Sequence, residues 1–525
     1  MDPACIRRRL PAALAFAAAL AAGLAVASRE LGSLGGDNAE YVLLAKSLAG
    51  FDGYVSRWAP GPDAPHVLYP PLFPLLLAPF CGAAPASFLA CHLVPALSGA
   101  VAVLFIALLF ERRGLPPWAA AAAALAPALS FHWLADAADV LSDLPCLAFV
   151  AAALYALEPG QEERLPRRRV VAAVVLAALA FYTRTAALSL AIPVAAALLC
   201  GRRTEVRHGR IAAVALLGVC GLWFLRGALL GSGGYLGQVD AGGAGSAGLL
   251  GRAWSAFRGL YFPGTPAFLF LRPGAPWNWA GVVLWVLGGT AVLEGIFRRR
   301  SFAVAEATFL ATLALHCAWP HRDPRFALPT AALLAPVAIE QIHRFAAASD
   351  RARSAAAAVA ISCAALLLAP NVERLFGLVL PRAHRARPAA APGLHEPSRF
   401  AHTWGWSDAQ YVQAAPALAS FLHACDVVRD GGLPGVPAAD AGPVMATNPR
   451  LAALLCERRA VQPPAGAGPD AVAALVREKG VALVLVDDFA GGTSDSLRAY
   501  ARERAADLEP LATLPGNVAL LRVRR

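Results

Sequence analysis

The sequence predicts an α-helical protein that crosses a membrane many times and carries a small α/β domain at its C-terminal end. Three observations support this fold class. Of 525 residues, 58% are hydrophobic and 15% charged, against about 45–50% apolar and about 25% charged in soluble domains. A soluble fold of this size has too little interior to hide that much apolar side chain. Apolar runs of roughly 20 residues, the length needed to cross a hydrocarbon layer of about 30 Å, recur along the first 370 residues. Between these runs the arginines cluster in alternate loops, as the positive-inside rule requires.

The elements follow in order. The first run, 10–28, is preceded by Arg7, Arg8 and Arg9 and has no convincing cleavage site after it, so it reads as an uncleaved helix with a cytoplasmic N-terminus. Further spans are expected at 86–110, 117–134, 140–157, 211–230, 279–297, 302–319, 326–345 and 355–370. The stretch 170–200 is too long for one helix and basic at both ends, so it should form a hairpin of two helices turning near Tyr182–Thr185. That makes about 11 spans. Alternation then places Arg112/Arg113, Arg167–Arg169, Arg202/Arg203/Arg207, Arg298–Arg300 and Arg344/Arg351/Arg353 on the side of the N-terminus. The net charge of +11, from 46 basic against 35 acidic residues, is thereby accounted for by topology. No nucleic-acid partner is needed to explain it. The outer side receives 29–70, 135–139, 231–278, 320–325 and everything after 370.

Residues 1–370 thus form the membrane domain and 371–400 a linker rich in proline, arginine and alanine. Residues 401–525 alternate short apolar runs (Val444–Ala446, Val481–Val486, Val518–Val523) with helical stretches near 448–456, 468–479 and 494–506. That alternation points to an exported α/β domain. It shows no catalytic constellation, and its expected role is acceptor binding or capping of the membrane core. Ten cysteines include no CxxC pair, and Cys91, Cys146, Cys200, Cys220 and Cys363 sit in apolar runs as small hydrophobes. Only Cys425 and Cys456 lie in a polar region where a bridge is open to them.

The outer side is where chemistry is expected. After the first span comes GGDNAEYVLLAKSLAG (35–50), in which Asp37 or Asn38 is an N-cap for a helix from about 39 to 49. Tyr41, Leu44, Ala45 and Leu48 form an apolar stripe, so the helix should lie along the membrane surface and present Asp37 to an outer cavity. Capping alone also explains Asp37. Next comes Tyr69-Pro70-Pro71-Leu72-Phe73-Pro74, whose three prolines in five residues exclude a regular helix. Irregular backbone at membrane depth is tolerated where protein or a cavity covers it.

These stretches, GDNAEY (36–41), YPPLFP (69–74), LSDLPCLAF (141–149) and YTRTAALSL (182–190), resemble the GT-C membrane glycosyltransferases. The likeness is to the branch of protein O-mannosyltransferase-like and aminoarabinose transferase-like enzymes, and it covers about 1–345. The resemblance implies a GT-C-like membrane domain that takes a sugar from a polyprenyl-phosphate lipid and attaches it to a lipid, glycan or protein acceptor outside a bacterial plasma membrane. It also implies that Asp37 is the catalytic residue. Many relatives carry a second acid directly after that aspartate. Here the position is Asn38, with Glu40 two residues further on as a supporting acid and a divalent metal left open.

The chemistry of such a transfer fits these residues. A carboxylate can take the proton of an acceptor hydroxyl, and the departing phosphate needs positive charge around it. The candidates are the polar groups on the outer side. They comprise the turn His321-Arg322-Asp323-Pro324-Arg325, Arg184 at the hairpin tip, Lys46 on the first-loop helix, and Tyr69 heading its motif. Pairing with Asp323 and lipid headgroups is the bland alternative for Arg322 and Arg325. Asp136, Asp139 and Asp143 would share a face if helical. Asp136 reads as a solvated loop carboxylate and Asp143 as a second supporting acid. His66, His132 and His316 are scattered and suggest no zinc site. Two competing readings are a transporter or lipid flippase, which should show related halves that this sequence lacks, and a non-catalytic subunit of an envelope complex.

Overall fold

The computed structural model describes residues 3–27, 36–81, 88–159, 165–200, 206–230, 251, 254, 288–298, 303–318, 328–346, 420–430, 442–487 and 492–524. In chain order these form α1 (Pro3–Val26), α2 (Gly36–Ala49), the short strands β1 (Val55–Ser56) and β2 (Ala64–Pro65), α3 (Leu72–Cys81), α4 (Phe88–Arg112), α5 (Pro117–Ala128), α6 (Phe131–Ala137), α7 (Asp143–Leu157), α8 (Arg167–Thr183), α9 (Leu188–Cys200), α10 (Val206–Leu229), α11 (Val304–Ala318) and α12 (Leu328–Ala346). The chain divides into two compact units. One is Met1–Ala27, Val67–Phe73 and His92–Leu380; the other is Ser28–His66, Pro74–Cys91 and Pro381–Arg525.

The first unit is helical. Among the described residues three helices are long and apolar enough to cross a membrane: Arg8–Val26, Phe88–Arg112 and Arg207–Leu229. Leu72–Cys81, Asp143–Leu157, Thr185–Cys200 and Val304–Ala318 are apolar but shorter. The span expected at 117–134 is two helices. Helix α5 ends at Ala128, and Ser130 caps α6 by accepting a hydrogen bond from the Trp133 amide at 3.4 Å. The expected hairpin at 170–200 is present: α8 ends at Thr183, Arg184 is extended (φ −155°), and one 3-10 turn (Thr185–Ala187) leads into α9. The span expected at 355–370 and the linker lie outside the described residues.

Packing in this unit joins close backbone approach to a buried ionic knot. A Cβ added at Gly23 of α1 would lie 3.1 Å from the Ala96 Cβ of α4, so these helices meet through small residues. On α10, Ile211, Val214, Leu222 and Leu225 are each more than half exposed, leaving an apolar face of the kind lipid covers. Arg113, expected as one of the topological arginines, has a side chain with no exposure at all. Its guanidinium reaches Glu158 at 2.9 Å, Glu306 at 2.9 Å and Glu340 at 3.2 Å, tying α4 to the segments around α7, α11 and α12. Glu340 also pairs with Arg344.

In the second unit, residues 442–523 build a five-stranded sheet. Its elements are β3 (Val444–Ala446), α13 (Pro449–Cys456), β4 (Ala460–Val461), α14 (Pro469–Lys479), β5 (Leu483–Val486), α15 (Gly492–Glu503), β6 (Leu508–Leu514) and β7 (Val518–Val523). The strand order is β4-β3-β5-β7-β6, with β3 parallel to both β4 and β5 and the β5-β7-β6 edge antiparallel. Parallel neighbours need a crossover, and the helices α13 and α14 supply it. The β6–β7 hairpin closes through Pro515, Gly516 and Asn517, the last two at positive φ. Pro510 sits at a register shift in β6, where a missing amide donor is tolerated. Met445, Val472, Val476, Val484, Leu497 and Tyr500 fill the core between sheet and helices. The apolar runs at 444–446 and 518–523 are therefore strands, as their composition indicates, and the run 481–486 holds one from Leu483.

Candidate active site

Helix α2 starts at Gly36, about a turn earlier than the capping signal suggests. Asp37 is in its first turn, where a carboxylate meets the unsatisfied amides and the positive end of the helix dipole. The buried Asn38 side chain accepts a hydrogen bond from the Ala39 amide at 2.9 Å. The helix is not an amphipathic rod with a polar face in water. Alongside Tyr41, Val42, Leu44 and Ala45, its polar residues Asn38, Glu40 and Ser47 are also buried. Buried polar groups need partners, and the second unit provides them.

Glu40 is 1% exposed and Asp37 about 30%. Three residues apart, they share one face of the helix. The Arg450 guanidinium stands over that face, with Nε 3.1 Å from a Glu40 oxygen and Nη1 3.8 Å from an Asp37 oxygen. It also lies over the Trp58 ring at 5.6 Å from the centroid, a cation–π distance. The other Glu40 oxygen accepts a hydrogen bond from the Ser56 hydroxyl at 2.9 Å and lies 3.4 Å from His66 Nδ1. Ser56 and His66 Nδ1 are 2.7 Å apart. The β1–β2 pairing, with Ser56 opposite Ala64, brings these two together. The His66 amide donates to the Tyr54 carbonyl at 2.9 Å, and the two rings meet edge to face.

Arg450 is held in place by the sheet. Strand β3 ends at Ala446, and the Asn448 side chain caps α13 by accepting from the Leu451 amide at 3.1 Å, with Arg450 in the first turn. The neighbouring strands β3 and β5 send their chains to opposite sides of the sheet, and α/β sheets commonly bind ligands at the carboxyl ends of such a pair. There Asp487 accepts from Thr447 at 2.5 Å and from Ser494 at 3.4 Å. At the far end of α13, Glu457 pairs with Lys46 at 3.0 Å, so α2 and α13 run side by side in the same sense. The loop 57–63 is fastened to the sheet edge. The Ala460 amide donates to the Trp58 carbonyl at 2.6 Å, and Arg459 reaches the Ala59 carbonyl at 2.9 Å, the Gly61 carbonyl, and Asp63 at 2.8 Å.

The remaining candidates belong to the first unit. Arg184 pairs with Asp143, which is 2% exposed at the first turn of α7. Tyr69 is buried. The YPPLFP motif is less irregular than its prolines suggest: Pro70 and Pro71 precede α3, and Pro74 falls in its first turn, where no intrahelical donor is lost. Asp136 and Asp139 are buried, so Asp136 is not a solvated loop group. The three aspartates do not share a helix face, because α6 ends at Ala137 and α7 begins at Asp143. His321, Arg322 and Arg325 lie outside the described residues. Among the described residues no cluster of three or more His, Cys, Asp or Glu side chains could hold a metal ion. Cys425 and Cys456 are buried free thiols. Burial, then the hydrogen bond with Cys456, pushes the Cys425 thiol well above its ordinary range.

Two participants were not anticipated. Arg450 is one of many arginines in the tail and stands 413 positions from Asp37, with no local signal to mark it. His66 looked isolated because the hairpin that joins it to Ser56 has only two residues per strand.

Residues 69–224 match the model of the family of dolichyl-phosphate-mannose-protein mannosyltransferases. No curated protein sequence matches the chain. Among solved structures, the fold is similar to ArnT from Cupriavidus metallidurans bound to undecaprenyl phosphate, at 14% identity, TM-score 0.58 and 97% coverage of both chains. It is also similar to the oligosaccharyltransferase AglB from Archaeoglobus fulgidus in complex with an inhibitory peptide and a dolichol-phosphate. There the identity is 14%, the TM-score 0.54, and the coverage 90% of this chain and 69% of that one. A third similar structure is the arabinofuranosyltransferase AftD from Mycobacteria, at 15% identity and TM-score 0.52, covering 98% of this chain and 40% of that one. The chain shares the fold of these GT-C structures, and the family resemblance holds over residues 69–224.

Proposed function

We propose that this GT-C-fold chain is a glycosyltransferase that moves a sugar from a polyprenyl-phosphate lipid to an acceptor hydroxyl on the outer face of a bacterial plasma membrane. The observation that carries the reading is Asp37, a partly exposed carboxylate in the first turn of α2, beside a buried glutamate and an arginine that hold its surroundings in place. A base must be reachable by its substrate, and Asp37 is reachable where Glu40 is not. In this mechanism Asp37 takes the acceptor proton, and the acceptor oxygen attacks the anomeric carbon with inversion as the lipid phosphate departs. The phosphate leaves as a stable anion and needs no proton. Arg184, Tyr69, His321, Arg322 and Arg325 are assigned to the phosphate side, with Asp143 holding the Arg184 side chain in one orientation. Lys46, committed to Glu457, is better read as a tie between α2 and α13 than as a phosphate ligand.

The similar structures support this reading in kind, ArnT being bound to undecaprenyl phosphate and AglB being in complex with an inhibitory peptide and a dolichol-phosphate. The N-terminus is assigned to the cytoplasm, the α/β domain to the outside, and the membrane domain to about 11 spans. The test is Asp37→Asn in the purified full chain supplied with a polyprenyl-phosphate sugar and candidate acceptors. Turnover should fall by about 10²–10⁴-fold, the usual weight of a general base, while lipid binding is kept. Equal consumption of the lipid-linked sugar by variant and wild type would overturn the assignment.

A further inference from the structure

We propose that Arg450, supplied by the C-terminal α/β domain, is a positioning residue for Asp37, so that this domain is part of the transfer site and not an appended cap. The inference deepens the glycosyltransferase reading and rests on Asp37 as the base. Two carboxylates on one helix face repel each other. A base that must be ionised to work is poorly served by that arrangement. Arg450 removes the conflict by standing between Asp37 and Glu40.

The distances give the arrangement a direction. Arg450 is closer to buried Glu40, at 3.1 Å, than to Asp37, at 3.8 Å. Glu40 is fixed from behind by Ser56 and His66, and the guanidinium is steadied against Trp58. Arg450 is thus anchored on Glu40 and acts on Asp37 by charge at a distance too long for a hydrogen bond. The positive charge beside Asp37 favours its ionised form. Among the described residues, the charged groups paired with Arg450 are Asp37 and Glu40 from α2, with the titratable His66 of the hairpin behind Glu40. Lys46 and Glu457 neutralise each other at the far ends of the two helices. The domain's separate ties through Arg459 and the Ala460 amide hold the loop 57–63 to the sheet edge without involving Asp37 or Glu40.

The test uses the full chain with a polyprenyl-phosphate sugar, comparing Arg450→Ala, Arg450→Lys and Arg459→Ala by turnover, pH profile and melting temperature. Without the cation the Asp37 carboxyl holds its proton to higher pH. The acid limb of the kcat/KM profile should therefore move up by about 1 pH unit or more in Arg450→Ala. At a pH below the limb that is about tenfold slower turnover. Arg450→Lys should restore most of the limb, and Arg459→Ala should lower the melting temperature and leave the limb where it is. A limb unmoved in Arg450→Ala, or moved equally by Arg459→Ala, would overturn the inference. Failure of the parent reading looks different: Asp37→Asn would then keep full turnover. The Arg450–Glu40 coupling would still appear in a melting-temperature cycle of Arg450→Ala with Glu40→Gln.

Discussion

Asp37 and Glu40 stand three residues apart on one helix, and burial divides their labour. Glu40 is enclosed by Ser56, His66 and Arg450, so its charge serves to organise the site. Asp37 is open enough to meet a substrate. Unequal stability effects follow. Glu40→Gln keeps an acceptor for Ser56 but removes the anchor of Arg450, and should cost about 1–3 kcal/mol. Asp37→Asn, at a partly exposed position, should stay within about 0.5 kcal/mol of wild type. Thermal melts of the detergent-solubilised proteins check both. The Cys425 thiol, pushed up by burial and by Cys456, should remain protonated at neutral pH. Alkylation by iodoacetamide should therefore be slow in the folded chain and fast after denaturation, followed by mass spectrometry. Asp37, Glu40 and Arg184 were legible as candidates because each breaks a local pattern. Arg450 breaks none, since an arginine in a polar exported domain is unremarkable until its partner across 413 positions is known.

At the scale of elements, most helices follow from apolar length and most strands from short β-branched runs. The departures have local causes. The run 117–134 is largely apolar, yet Pro127 near the end of α5 and the Ser130 cap split it, a boundary that hydropathy alone does not register. Helix α2 reads as amphipathic when its charged residues are assumed to face water, but Glu40 is turned inward to an arginine from another part of the chain. Arg113 carries the same lesson. It has the position of a topological charge and the environment of a core residue, with Glu158, Glu306 and Glu340 around it. Replacing it by methionine would strip a shared cation from three buried carboxylates, of which Glu340 keeps Arg344, and should destabilise by about 3–5 kcal/mol in a thermal melt. Gly23→Leu should also destabilise, because a side chain there meets the backbone of α4.

For the whole molecule, the alternation of arginine-rich loops carries a definite expectation of orientation. Cys200, exposed at the end of α9, should react with a membrane-impermeant maleimide only after cells are permeabilised. A cysteine placed at Asp495, whose side chain is 70% exposed on α15, should react in intact cells. Both are read in a background with the other cysteines replaced, and reversed labelling would overturn the topology. By itself the sequence determined the class of the molecule. A chain that is 58% hydrophobic must find a solvent other than water for its side chains, and the periods of its apolar runs separate membrane helices from the strands of the tail. Only the tertiary structure decided which charges belong together. The first-loop acids and Arg450 lie in one compact unit although about 400 residues separate them. Hydropathy and local propensity are properties of neighbours along the chain, whereas an ion pair depends on distance in space, which only folding sets.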